Sequence, residues 1–183
     1  MDLELSADEK KILLHSVRET LVAKLDGRVA VYMAPTALLS DSSYGAFVTL
    51  RGGLGDLRGC IGNLSGRGKA LCELVKEMAL ASAFEDPRFP PVRKEEMERI
   101  SIEISVLSEF EEAAAADVIP GKHGILIRRS YHSGILLPQV ATEQGWGREQ
   151  FLSHGCLKAG LPPESWRQKD TRISIFTALV FHE

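Results

Sequence analysis

Between Ile100 and Val106 the chain alternates without interruption: Ile100, Ile102, Ile104 and Val106 are apolar, and Ser101, Glu103 and Ser105 are polar. Neighbouring side chains of a strand point to opposite faces, so this pattern specifies a strand with one face buried and the other solvated. The rest of the chain must supply a sheet for it and something to cover one side.

The remaining segments meet that demand. Ser6-Ala7-Asp8-Glu9 has the form of a capping box, and Leu14, Val17, Leu21 and Leu25 follow at helical spacing, which predicts a helix ending at Asp26-Gly27. Gly45–Leu50 and Leu57–Leu64 are rich in β-formers and flank the turn cluster Arg51-Gly52-Gly53-Leu54-Gly55-Asp56, so they form a hairpin with Cys60 on its returning arm. Leu71, Leu74, Val75 and Met78 give a second helix one apolar face, and Pro87 closes it near Glu85-Asp86. Two further arms, Gly124–Arg128 and Gly134–Leu137, surround Ser130-Tyr131-His132-Ser133; a third helix fits Arg148–Ala159; Arg172–Phe181 reads as one last strand. Strands outnumber helices and a hairpin lies among them, so the expected fold is α+β, with a mixed or largely antiparallel sheet and packed helices, in one domain over residues 1–183.

Composition excludes several function classes. A net charge of −3 gives no broad attraction for a phosphate backbone, so nucleic acid is not an expected partner. No apolar run approaches the ~18 residues that span a bilayer. The opening Met1-Asp2-Leu3-Glu4-Leu5 lacks the basic start of a signal peptide, so a cytoplasmic protein is expected. The three widely spaced cysteines, Cys60, Cys72 and Cys156, fit reduced thiols there, and without a C-x-x-C pair no metal site is expected. Nothing calls for a cofactor.

Cys60 is the first candidate for chemistry. Gly59 and Gly62 remove bulk on both sides of it, and Arg58, two residues away, falls on the same strand face. A cation near a thiol favours the reactive thiolate; the alternative reading makes Cys60 a small buried hydrophobe and the glycines servants of the sheet. The loop Glu85-Asp86-Pro87-Arg88-Phe89-Pro90-Pro91 presents Asp86, Arg88 and Phe89 together, as a stiff, extended pocket wall with Arg88 as an anion clamp, or as a segment whose charges pair with neighbours. His123, between Gly121 and Gly124, is the default general acid or base. His132 reads as a solvated turn residue, and Cys72 and Cys156 as core. Arg51-Gly52-Gly53-Leu54-Gly55 matches no phosphate-binding loop, because the strand-loop-helix order is missing.

Together, Leu57-Arg58-Gly59-Cys60-Ile61-Gly62, Asp86-Pro87-Arg88-Phe89-Pro90-Pro91, Glu103-Ile104-Ser105-Val106-Leu107-Ser108, Gly121-Lys122-His123-Gly124, Leu136-Leu137-Pro138-Gln139-Val140 and Cys156-Leu157-Lys158-Ala159-Gly160-Leu161 resemble the AMMECR1 domain family in the same order, over roughly Tyr44 to the C-terminus. The prokaryotic branch called AmmeMemoRadiSam system protein A is the most similar form. The resemblance implies an α+β fold of two lobes with a cleft, Arg58–Gly62 as a signature, and a pathway shared with a MEMO-like protein related to extradiol dioxygenases and a radical-SAM protein.

Two functions are compatible with these residues. In one, Cys60 is a nucleophile or proton donor with His123 as base, Arg58 and Arg88 hold a small anionic substrate, and amides around Gly59 and Gly62 stabilise an oxyanion. In the other, the same residues form a non-catalytic surface that binds a metabolite or partner protein.

Overall fold

In the computed structural model, which describes residues 4–183, the first helix starts as its capping box predicts. The Ser6 hydroxyl accepts the Glu9 N–H at 3.2 Å and the Glu9 carboxylate accepts the Ser6 N–H at 2.9 Å. Helix α1 (Ala7–Asp26) ends at Gly27, whose φ of +65° is the left-handed geometry that glycine adopts without cost. Met1, Asp2 and Leu3, part of the acidic opening considered above, lie outside the described residues.

The chain divides into two units. One contains the described residues up to Leu107 together with Leu179–Glu183; the other is Ser108–Ala178. In the first, β1 (Gly45–Arg51), β2 (Leu57–Asn63), β3 (Ser101–Leu107) and β8 (Ala178–His182) form a sheet in the order β2-β1-β3-β8. Helix α2 (Leu71–Phe84) and α1 share one core with it, in which Leu13, Val17, Leu21, Leu74 and Val75 meet Val48, Leu50, Ile102 and Ile104. Each such side chain, fully buried, contributes about 2 kcal/mol. The alternation of β3 is realised at its start, with Ile102, Ile104 and Val106 in the core and Ser101 and Glu103 off it, whereas Ser105, expected on the solvated face, is buried.

The second unit has its own sheet, β4-β7-β5-β6, built from β4 (Glu111–Glu112), β5 (Gly124–Arg129), β6 (His132–Leu136) and β7 (Arg172–Phe176). Helix α4 (Arg148–Lys158) packs Phe151, Leu152 and Cys156 against Ile125, Ile127 and Ile173. A short helix α3 (Pro138–Gln144) is added to the expected elements; proline in its first turn and Gly145 at φ +64° bound it.

The single strand expected over Arg172–Phe181 is in fact two, β7 and β8, in different sheets. Between them, Thr177 leaves the ladder and pairs with Ser108. The Ser108 amide donates to the Thr177 carbonyl at 2.9 Å, and the Thr177 amide donates to the Ser108 hydroxyl at 2.9 Å.

The hairpin that carries Cys60 depends on its two glycines for packing. Gly59 lies on the face of β2 covered by α2, where a Cβ would overlap the Ser82 carbonyl oxygen. Gly62, on the opposite face, sits across the ladder from Phe47, and a Cβ there would enter the Phe47 ring. Neither takes a left-handed φ. What approaches these bare positions is the protein itself. Ser82 completes the attachment: its hydroxyl donates to the Val48 carbonyl at 2.7 Å and accepts the Ile61 amide at 2.9 Å, stitching α2 to both arms.

Valine at Gly59 or Gly62 should therefore lower stability by about 2–3 kcal/mol in urea unfolding, from overpacking against backbone and ring. Valine at Gly53, where the nearest atom to an added Cβ is 3.5 Å away, should cost less than about 1 kcal/mol. Equal losses at all three positions would contradict this packing role.

Candidate functional site

Strand β2 is the edge of its sheet, so alternate peptide groups along it point away from the ladder. Cys60 pairs in register with Thr49, and its own N–H and C=O face outward. Both are met by the turn that follows α2. The Cys60 amide donates to Asp86 Oδ2 at 2.9 Å, and Arg88 Nη2 donates to the Cys60 carbonyl at 3.1 Å. An aspartate and an arginine thus take the place of a neighbouring strand.

The local sequence explains how these two side chains come together. Asp86-Pro87-Arg88-Phe89 is a turn closed by a 3.1 Å bond from the Phe89 amide to the Asp86 carbonyl, with aspartate and proline at the positions that favour such turns. The segment is therefore bent here and not extended as expected. The turn folds Arg88 back on Asp86: Nε donates to Oδ1 at 3.0 Å, Nη2 to Oδ2 at 2.7 Å, and the Arg88 amide to Oδ1 at 3.1 Å. With the Cys60 amide the Asp86 carboxylate accepts four hydrogen bonds while only 3% exposed. The Arg88 hydrogen bonds, aided by the Cys60 and Arg88 amides and opposed by burial, hold the Asp86 carboxyl far below the usual range. Arg88 is raised in turn, chiefly by Asp86. Its side chain remains 53% exposed, with the guanidinium 5.5 Å from the Phe89 ring centroid.

The thiol itself lies on the sheet face opposite α2. Thr49, its cross-strand neighbour, donates its hydroxyl hydrogen bond to Cys60 Sγ at 3.3 Å. Cys60 is half-buried, whereas Cys72 and Cys156 are buried, and burial pushes both of those thiols up. Arg58 is committed elsewhere: Nε and Nη2 fork onto Glu96 at 2.7 and 3.2 Å, and this contact holds the Glu96 carboxyl below its ordinary value. The cation expected to act on Cys60 therefore already has a carboxylate partner. The amides proposed for an oxyanion are occupied as well, that of Cys60 by Asp86 and that of Ile61 by Ser82.

The first unit brings together Arg58, Gly59, Cys60, Gly62, Asp86, Arg88 and Phe89. His123 belongs to the second unit. Its Nδ1 accepts the Ile119 amide at 3.3 Å, so in the neutral ring Nε2 carries the proton and His123 presents a donor, not a base. It lines a pocket of about 150 Å³ with Glu109, Phe176 and Thr177. His132 is exposed, as expected, and its Nδ1 lies 3.1 Å from the Ala159 carbonyl oxygen. Among the described residues no group of three His, Cys, Asp or Glu side chains could hold a metal ion.

Thr49, Ser82 and Glu96 were not among the expected site residues. Ser82 alone had a visible signal, as a hydroxyl on the apolar face of α2.

The AMMECR1 family profile matches residues 14–181, a span that runs through both units. The chain belongs to the AMMECR1 family. Protein MK0488 of Methanopyrus kandleri is 42% identical over 193 residues, covering 100% of this chain and 92% of that protein. Protein NEQ441 of Nanoarchaeum equitans is 40% identical over 161 residues, covering 83% and 89%. The crystal structure of protein PH0010 from Pyrococcus horikoshii matches with a TM-score of 0.82 and 33% identity, over 99% of this chain and 94% of that one. None of the described helices is long and apolar enough to cross a membrane.

Because the folded Asp86 carboxyl titrates below its unfolded value, its contribution is complete above ~4, the ordinary aspartate range, and is lost as pH falls through the folded value. Asp86→Asn should cost on the order of 2 kcal/mol at pH 7. The gap in melting temperature from the parent should hold from pH 7 to about 5 and close only below about 4. A gap that widens on acidification would contradict the assignment.

Proposed function

We propose that this AMMECR1-family protein is a non-catalytic binding component that presents Cys60, Arg88 and Phe89 to a small anionic ligand. It acts in the pathway that the family resemblance associates with MEMO-like and radical-SAM proteins, in the manner of the system protein A branch, in the cytoplasm. One observation carries this reading: each group around Cys60 that would activate a nucleophile already has a partner. Arg58 is forked on Glu96, Arg88 is forked on Asp86, and the Cys60 amide is held by Asp86. A nucleophilic cysteine is activated by a nearby base or an uncommitted cation, and the contact at Sγ is a hydroxyl donor. What the arrangement leaves available is the half-exposed guanidinium of Arg88 beside an aromatic ring, on a backbone that the Asp86 turn holds fixed. Such a fixed, partly solvated arginine suits recognition of an oxyanion.

The second reading, a cysteine-dependent enzyme with His123 as its acid or base, is favoured by the exposure of Cys60 and by the Thr49 hydrogen bond to its sulfur. The two readings separate on Cys60→Ser and Arg88→Gln. Each variant is mixed with the MEMO-like and radical-SAM proteins of the same organism, and conversion of extract metabolites is followed by mass spectrometry. Cys60→Ser should preserve output within about threefold, while Arg88→Gln should lower it about tenfold by loss of a charged hydrogen bond. A folded Cys60→Ser protein with collapsed output would overturn the binding account and establish the nucleophile.

Exposure also orders the thiols. Under limiting iodoacetamide, Cys60 should be alkylated first in the native protein, and Cys72 and Cys156 only on unfolding. Earlier labelling of either buried cysteine would contradict the placement of Cys60 on an accessible face.

A further inference from the structure

The hairpin turn that matches no phosphate-binding loop borders a second pocket. It has a volume of about 390 Å³ and is lined by Gly52, Gly53, Arg58, Arg99, Glu95 and Glu96, with Ile100 completing it. Two of these residues carry donors that the fold does not use. Arg58 spends Nε and Nη2 on Glu96, yet its Nη1 is buried and has no hydrogen-bond partner among the described residues. Arg99 is exposed and makes no ion pair among the described residues, its amide being tied to the Glu96 carbonyl. Its stem lies against the turn, with Cβ 3.5 Å from the place a Gly53 side chain would occupy.

A buried guanidinium N–H without an acceptor is uncommon in folded proteins and costly to keep. The Arg58 side chain that carries it lines a pocket of ligand size, together with a second guanidinium that makes no ion pair among the described residues. Glu96 is already engaged by Arg58 Nε and Nη2 and by the Arg93 amide, so it does not compete with an incoming anion for Arg58 Nη1. Glu95 is the remaining carboxylate of the lining and favours a ligand whose other end carries a hydrogen-bond donor.

From this convergence we infer that the pocket beneath the Gly52-Gly53 turn binds a small oxyanion, a carboxylate or phosphate, between Arg58 Nη1 and Arg99, with a hydroxyl or ammonium group at the ligand's other end facing Glu95. The inference does not depend on the Cys60 face, since it uses the end of the signature arginine that Glu96 leaves without a partner. It gives Arg58 a double role: one edge of the guanidinium is structural and the other is for the ligand.

The test is a titration of the full-length protein with inorganic phosphate, and separately with glycolate, at ionic strength matched by sodium chloride. The Arg58 and Arg99 side-chain Nε–H signals and the Gly53 amide are followed by NMR. Saturable shifts at these three positions are expected with at least one anion. Saturation by phosphate alone assigns a phosphate ligand, and by glycolate alone a hydroxycarboxylate. Arg99→Gln, an exposed change that leaves the Arg58–Glu96 fork intact, should weaken the response about tenfold. Arg88→Gln should leave it unchanged, which separates this site from the one at Cys60. Shifts that sodium chloride reproduces, or that survive Arg99→Gln undiminished, would overturn the proposal.

Discussion

The buried carboxylate of Asp86 determines how the candidate site is held. An ionised carboxylate is expensive to take out of water unless its oxygens are paired, and Asp86 is paired on every side, by the Arg88 fork, the Arg88 amide and the Cys60 amide. The same contacts solve a problem of the sheet. An edge strand exposes unsatisfied peptide groups that invite another strand to add, and here the aspartate–arginine pair saturates the peptide of Cys60 from the side. Cys60 is thereby fixed at its backbone, while its half-buried sulfur accepts the Thr49 hydroxyl.

This changes how the glycine-flanked signature is to be understood. Bare positions around a cysteine suggest room for a substrate, but Gly59 is filled by the backbone of α2 and Gly62 by the ring of Phe47. Gly59, Gly62 and Ser82 thus set the distance between helix and hairpin, and the buried Asp86 sets the edge. On the proposed reading, the groups left for recognition are the Cys60 thiol, the outer part of Arg88, and the donors of Arg58 and Arg99 that have no partner among the described residues. Packing and recognition share one short segment, so a substitution there can fail by either route. Stability and binding have to be measured separately.

Much of this was legible in the sequence because it is encoded locally. The capping box at Ser6, the single apolar faces of α1 and α2, the alternation of β3 and the hairpin around Gly52–Asp56 all appear within windows of a few residues. The Asp86-Pro87 turn was readable as a stop for α2, though its sequence also specified the bend that returns Arg88 to Asp86. Less visible were the contacts between distant segments. Arg58 and Glu96 are 38 residues apart, and the Cys60 amide and Asp86 are 26 apart. No periodicity reports such pairings. The division of Arg172–Phe181 was hidden for another reason: its β-forming residues run on without a glycine or proline, and only the bonds of Thr177 to Ser108 mark where one sheet is left for the other.

The central claim is that the Asp86 turn, and no neighbouring strand, holds the Cys60 peptide. Native-state hydrogen exchange at the Cys60 amide tests it directly, because an outward-facing amide on an edge strand should exchange rapidly unless something accepts its hydrogen bond. The account predicts that in the parent protein this amide is protected as strongly as the inward ladder amides of β1. In Asp86→Ala the protection should be lost at Cys60 first, while the core of α2 remains protected. Rapid exchange at Cys60 in the parent protein, or protection that survives removal of the Asp86 carboxylate, would contradict it.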